Sequence, residues 1–235
     1  LNFFTMRWIV HTTIPLVMGI IIGVLLLSHL ANGEGSGTDR KCLIIVSGHD
    51  GYSQHELVKA SSLRDHLLEE ISEDDIKYLT DPDDPDSDGP ANVSNIEDAF
   101  DWLRDECDSN TEVLVYIFDH IVIINSEETF LFDDGNITAS TIDSWLDDVS
   151  YSRTTIILNG ERSGLGGPDL TGPSRDVMCS MRSYQTSDPD LFNITRSLED
   201  PSADLDGDEK VSFIEAYWNE VILLSGTGQD PVLFN

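Results

Sequence analysis

Two aliphatic runs, Glu112-Val-Leu-Val-Tyr-Ile-Phe-Asp119 and Thr154-Thr-Ile-Ile-Leu-Asn159, constrain this chain more than any other feature. Each is apolar without in–out alternation over its middle, and each stops abruptly on polar side chains. A strand of that composition is buried on both faces, which is the habit of a parallel sheet covered by helices. The first run ends directly on His120, and the second enters a sharp glycine-containing turn, Gly160-Glu-Arg-Ser-Gly164.

The rest of the chain alternates in the same sense. Residues 42–47 read as a first buried strand ending in Gly48-His49-Asp50-Gly51. Helical spacing follows over 54–71, through Leu57, Ala60, Leu63, Leu67, Leu68 and Ile71. Residues 75–79 read as a second strand, 81–92 as a Pro/Asp loop, and 93–107 as a helix capped by Asn92. After the His120 strand, 121–132 has the form of a hairpin turning at Asn125-Ser-Glu-Glu128. A helix over 138–149, a strand over 176–181, a short helix near 189–197 and a final helix over 213–224 complete the pattern. Strand–helix alternation of this kind predicts an α/β fold with a mostly parallel sheet and helices on both faces.

Before that domain, residues 8–30 carry no formal charge and are long enough to cross a bilayer as one helix. His29 spoils the small-x-small pattern of a signal cleavage site before Ala31, so an uncleaved membrane anchor is expected rather than a removed leader. The positive-inside rule hardly decides its orientation, because Arg7 precedes it while Arg40 and Lys41 follow. The composition of residues 31–40 is that of a flexible linker. Three Asn-x-Ser/Thr sequons, at Asn92, Asn136 and Asn193, favour a domain outside the cytoplasm at the cell membrane. About 195 residues then remain at 41–235, enough for one domain with a full core.

Charge narrows the partners. The chain carries 44 acidic and 13 basic residues, a net charge of −31, so phosphate backbones are repelled and nucleic acid is excluded as a partner. An acidic, lysine-poor surface is what a salty or marine habitat favours, because screening relieves its self-repulsion. Three cysteines, Cys42, Cys107 and Cys179, leave at least one unpaired and form no metal-ligand spacing.

In open α/β sheets, function gathers at the carboxyl ends of the strands. Here those ends carry His49-Asp50, Asp119-His120 and Asn159-Gly-Glu-Arg-Ser163. The order, with a hairpin after the histidine and Ser-Gly after the next strand, resembles the legumain-like cysteine peptidases of the caspase–haemoglobinase fold. The resemblance spans roughly residues 42–224 in order of elements. In that family the histidine strand ends in His-Gly and the next in Asp-Ala-Cys-x-Ser-Gly. The resemblance therefore implies a general base at His120 and a nucleophile position at Glu161. A cysteine thiolate within reach of the base is what the acyl-enzyme chemistry needs. This chain has glutamate there, and Ile121 in place of the glycine after the histidine. Cys179 lies inside a strand rather than at the turn and is no substitute. The expected outcome is a degenerate site, His120 with Glu161, whose ion pair stabilises the old centre.

Two other readings of these residues stand beside it. His49, His120 and Glu161 would satisfy a two-histidine, one-carboxylate metal rule. Ser163, or a water activated by Glu161, would supply hydrolysis without a thiol, although the Gly-x-Ser-x-Gly spacing of a nucleophile elbow is absent. Arg182, just past the 176–181 strand, is a candidate binding residue for an acidic group, in the region where the family builds its specificity pocket.

Asp204-Leu-Asp206-Gly-Asp208-Glu-Lys210-Val-Ser-Phe-Ile-Glu215 fits a twelve-position calcium loop. Asp204, Asp206 and Asp208 stand at positions one, three and five, Lys210 offers its backbone carbonyl at seven, and Glu215 closes the site at twelve. Glu209 takes the sixth position, where glycine usually makes the sharp turn. A structural Ca2+ is the expected cofactor. The whole sequence predicts a membrane-anchored pseudopeptidase that binds a peptide or partner protein. A hydrolase using His120 with a non-cysteine group is the alternative.

Overall fold

The computed structural model describes residues 39–47, 54–80, 84–132, 134–186 and 191–235. The segment expected to be an anchor, residues 8–30, lies outside them, as does His49. Among the described residues no helix is long and apolar enough to cross a membrane.

Seven strands form the central sheet. These are β1 (Arg40–Val46), β2 (Ile76–Thr80), β3 (Gly89–Pro90), β4 (Glu112–Phe118), β8 (Arg153–Asn159), β9 (Arg175–Cys179) and β10 (Val232–Phe234), in the order β10-β9-β8-β4-β1-β2-β3. All neighbours are parallel except β10, which runs antiparallel along the outer edge of β9. The two aliphatic runs are adjacent at its centre, with Phe118 opposite Asn159. That pairing brings the His120 end and the Glu161 turn side by side.

Successive strand residues point to opposite faces, so continuous apolar runs need cover on both. Helices α2 (Val93–Glu106) and α3 (Ala139–Asp147) cover one face, packing Ile96, Phe100, Leu103, Ile142 and Leu146 on Leu43, Ile45, Val115, Ile117 and Ile156. On the other face, α1 (Gln54–Leu67), α4 (Ile194–Leu198) and α5 (Phe213–Leu223) pack Leu63, Ile194 and Tyr217 against Ile44, Tyr116, Ile157 and Met178. Cutting one of these large side chains to alanine would cost about 2–5 kcal/mol.

Helix starts are fixed by side-chain caps, each worth about 1 kcal/mol. Asn92 accepts from the Asn95 N–H at 2.8 Å, Thr138 from Thr141 at 3.1 Å, and Ser212 forms a capping box with Glu215.

The expected hairpin is larger than its sequence suggested. β5 (Ile121–Ile124) and β6 (Glu127–Phe132) turn through only Asn125 and Ser126, both at positive φ (53° and 72°), as a two-residue hairpin turn requires. A third strand, β7 (Gly135–Thr138), joins them. In the described part of the Pro/Asp loop, two carboxylates are tied to Tyr78. Asp88 accepts from the Tyr78 N–H at 2.7 Å and Asp84 from the Tyr78 hydroxyl at 3.1 Å. The helix expected near 189–197 is the short α4, begun by Asn193 accepting from the Arg196 N–H.

Candidate functional site

His120 follows β4 and Glu161 follows β8, so their meeting is set by the parallel pairing of those strands. His120 Nε2 lies 2.6 Å from Glu161 Oε2, with both side chains about a quarter exposed (23% and 30%). The backbone locks the same junction. The Asp119 N–H donates to Asn159 O at 3.1 Å, and the Ile121 N–H donates to Glu161 O at 3.3 Å.

Gly160 makes this closeness possible. Its φ is +150°, and a Cβ there would lie 2.0 Å from the Asp119 carbonyl oxygen. Any side chain would push the two strand ends apart. Arg162 follows at φ 60°, an αL conformation that non-glycine residues adopt only when their surroundings hold them there. Its N–H donates to Gln185 O at 3.0 Å, and the Gly164 N–H donates to Met181 O at 2.9 Å.

Ser163 is fully buried, with its hydroxyl 3.2 Å from the Ser180 hydroxyl and accepting from the Met181 N–H at 3.1 Å. It anchors the turn and is out of reach of a substrate. Cys179 is also fully buried in β9, and burial pushes its thiol well above the ordinary range. That is the opposite of what a nucleophile needs. Ile121 is fully buried too, and its side chain lies against Phe130 and Gly166 in the core. Its side chain is therefore part of the core beneath the hairpin.

Arg182 lies on the loop after β9 with about half of its side chain exposed, and its Nε is 3.6 Å from Asp230. Gln185 ties that loop to the Glu161 turn through Arg162. Sequence reasoning missed two participants. Asp119 is buried and accepts from the His120 N–H at 2.7 Å, and Gln185 joins three segments. The polar pair at the end of the His120 strand was the available signal for Asp119. Nothing local marked Gln185.

In the 204–215 loop three of the four expected carboxylates come together, and Glu215 stands outside that group. Ligand oxygens of Asp204, Asp206 and Asp208 lie within 4.8 Å of one another. Asp204 accepts from the Gly207 and Glu209 N–H groups, Asp206 from Asp208, and Asp208 from Lys210. Glu209, at φ 69°, makes the turn that glycine usually makes. Glu215 is buried, with one oxygen accepting from the Leu205 and Asp206 N–H groups and the other from Ser212. Partial desolvation, with Asp208, Glu215 and Asp204 nearby, raises the Asp206 carboxyl above its ordinary value. Three clustered carboxylates are hard oxygen donors, the kind of ligand from which calcium sites are built.

No family model matches the chain, and no curated protein matches it. Solved structures do. A structural-genomics protein from Geobacter sulfurreducens is similar with a TM-score of 0.58 and 13% identity, over 83% of this chain and 92% of its own. The Drosophila initiator caspase Dronc is similar with a TM-score of 0.52 and 10% identity, over 84% of this chain and 79% of its own. The fold is caspase-like. At these identities the likeness concerns the caspase-like architecture alone.

Proposed function

We propose that this chain is a pseudopeptidase of legumain-like descent that binds a peptide or a partner protein without cleaving it. The observation that carries the reading is the Glu161 carboxylate seated 2.6 Å from His120 Nε2. At that position a carboxylate occupies the base that a thiol would otherwise need. The buried Ser163 and Cys179 leave neither as a replacement nucleophile. Arg182, exposed on the adjoining loop, is the group to receive an acidic side chain of the ligand.

The wider setting is part of the proposal. Residues 8–30 hold the chain in the cell membrane, and the three sequons support a domain outside the cytoplasm. Asp204, Asp206, Asp208, the Lys210 carbonyl and Glu215 hold a structural Ca2+, which would bring the acidic loop together ahead of α5.

A mixed peptide library passed over the immobilised full chain, with calcium present, tests the binding claim. Wild type should retain peptides enriched in acidic residues, and Arg182→Ala should lower their retention about tenfold, the scale of one charge-assisted contact. Retention that neither Arg182→Ala nor His120→Ala alters would sink the proposal.

A further inference from the structure

The last strand of the sheet is placed unlike the others. β10 has three residues, all half-buried, and pairs antiparallel with β9 through Val232 opposite Cys179, Leu233 opposite Met178 and Phe234 opposite Val177. Its side chains straddle the sheet, Val232 and Phe234 joining one core cluster and Leu233 the other. Phe234 lies over Gly167, where a Cβ would come 2.3 Å from its ring. Only glycine leaves room for that aromatic. Before the strand, Gly226 and Gly228 stand at φ 88° and 91° with open space where their Cβ atoms would be. A short strand on a glycine hinge, seated on a sheet edge with one aromatic in a shaped slot, has the layout of strand addition to an edge.

The root of this segment is wired to the Glu161 turn. The Gln185 Oε1 accepts from the Asp230 N–H at 3.2 Å and from the Arg182 N–H at 2.9 Å. The Gln185 Nε2 donates to Gly228 O at 2.7 Å. The carbonyl of the same residue accepts from the Arg162 N–H, next to Glu161. Gln229 adds a buried tie, donating to Ser180 O at 2.8 Å, while the Ser180 hydroxyl accepts from the Gly160 N–H at 3.2 Å. Two short routes thus run from the strand's root to the turn that carries the site.

We propose that the outer edge of β9, with the slot over Gly167, is a strand-binding site for an extended aliphatic–aliphatic–aromatic segment. The chain's own Val232–Phe234 fills it, and its occupancy is relayed through Gln185 to the Glu161–His120 pair. Gln185 is a positioning residue in this scheme. Release of the strand frees Asp230 and Gly228 from Gln185, and the Arg162 amide moves with it. The functional meaning rests on the reading of Glu161–His120 as the site, but the site and the relay are testable without it.

The test uses the full chain, with NMR signals of the Val232 and Arg162 amides and the His120 ring as readouts; Val232 faces Cys179, whose backbone groups turn toward β10. The probe is a synthetic peptide of residues 229–235. Phe234→Ala should lower Val232 amide protection at least tenfold and shift the Arg162 and His120 signals. Added peptide should bind saturably and return them, whereas a peptide with alanine for the phenylalanine should not. Gln185→Ala, which removes only an exposed tie, should shift Arg162 and His120 while Val232 stays protected. Loss of Val232 protection with unmoved Arg162 and His120 signals would overturn the relay, and absence of saturable peptide binding would overturn the site. If Phe234→Ala fails to fold, Gln185→Ala alone decides the relay, and exchange of labelled peptide into wild type decides the site. None of these readouts requires the His120 cleft to bind a ligand, so failure here is distinct from failure of the pseudopeptidase reading.

Discussion

His120 and Glu161, 41 positions apart in the chain, are joined by a contact of 2.6 Å at the ends of two adjacent parallel strands. The strand register places their backbones together, and Gly160 lets them approach. The pair is partly exposed, so solvent screening limits what it adds to stability. His120→Ala or Glu161→Ala should each lower the unfolding free energy by about 1 kcal/mol, and the double variant should cost less than the sum. Urea denaturation measures this, and strict additivity would count against a direct interaction.

Gly160→Ala should do more harm than either. It places a methyl 2.0 Å from the Asp119 carbonyl oxygen in a backbone region that alanine avoids. A loss of about 3 kcal/mol is expected from strain and displaced strand ends. Thermal unfolding would show it, and a change within about 0.5 kcal/mol would mean the strand ends are not held as described.

Calcium should stabilise the domain through the 204–215 loop. The Asp206 carboxyl is raised in the folded chain, so the folded state binds that proton more tightly than the unfolded one. Stability without calcium should therefore fall as pH rises through the carboxylate range. Calcium should remove this loss, because its charge favours the ionised carboxylates. The transition temperature should rise by several degrees on adding calcium and return with chelator, an effect set by mass action. Asp204→Asn with Asp208→Asn should abolish the rise. An equal rise in that double variant would place calcium elsewhere.

Arg175 offers a test of the scaffold. Its side chain is fully buried, bonded to Tyr151 at 2.7 Å, Asp143 at 2.6 Å and Asp147 at 2.7 Å. Arg175→Met should cost about 1 kcal/mol, since the two α3 carboxylates it releases are part-exposed and can turn to solvent. Chemical denaturation with retained sheet signal checks this.

Much of this fold was legible in the sequence because its strands are buried on both faces, which leaves continuous apolar runs such as Val113–Phe118. Helix starts were legible where a cap has a short local signature, as at Asn92. What escaped depends on distant partners. β10 is three residues long and is a strand only because β9 offers an edge and Gly167 a slot. β7 exists by pairing with β6, and Gln185 joins segments more than 40 positions apart. The use of Asp84 and Asp88, holding Tyr78, is a contact with the preceding strand that no local pattern marks. For the site, the offset from Ser163-Gly164 placed Glu161 opposite His120, whereas the inward course of Ile121 required the packed hairpin.

The central claim is that Glu161 stands where a nucleophile would act. The most direct measurement is peptide-library cleavage with calcium present by wild type, Glu161→Cys, and Glu161→Cys combined with His120→Ala. Wild type should be silent, and Glu161→Cys should gain cleavage at least about tenfold above background, lost again when His120 is removed. Cleavage by wild type that His120→Ala abolishes would contradict the account and make Glu161 a catalytic residue.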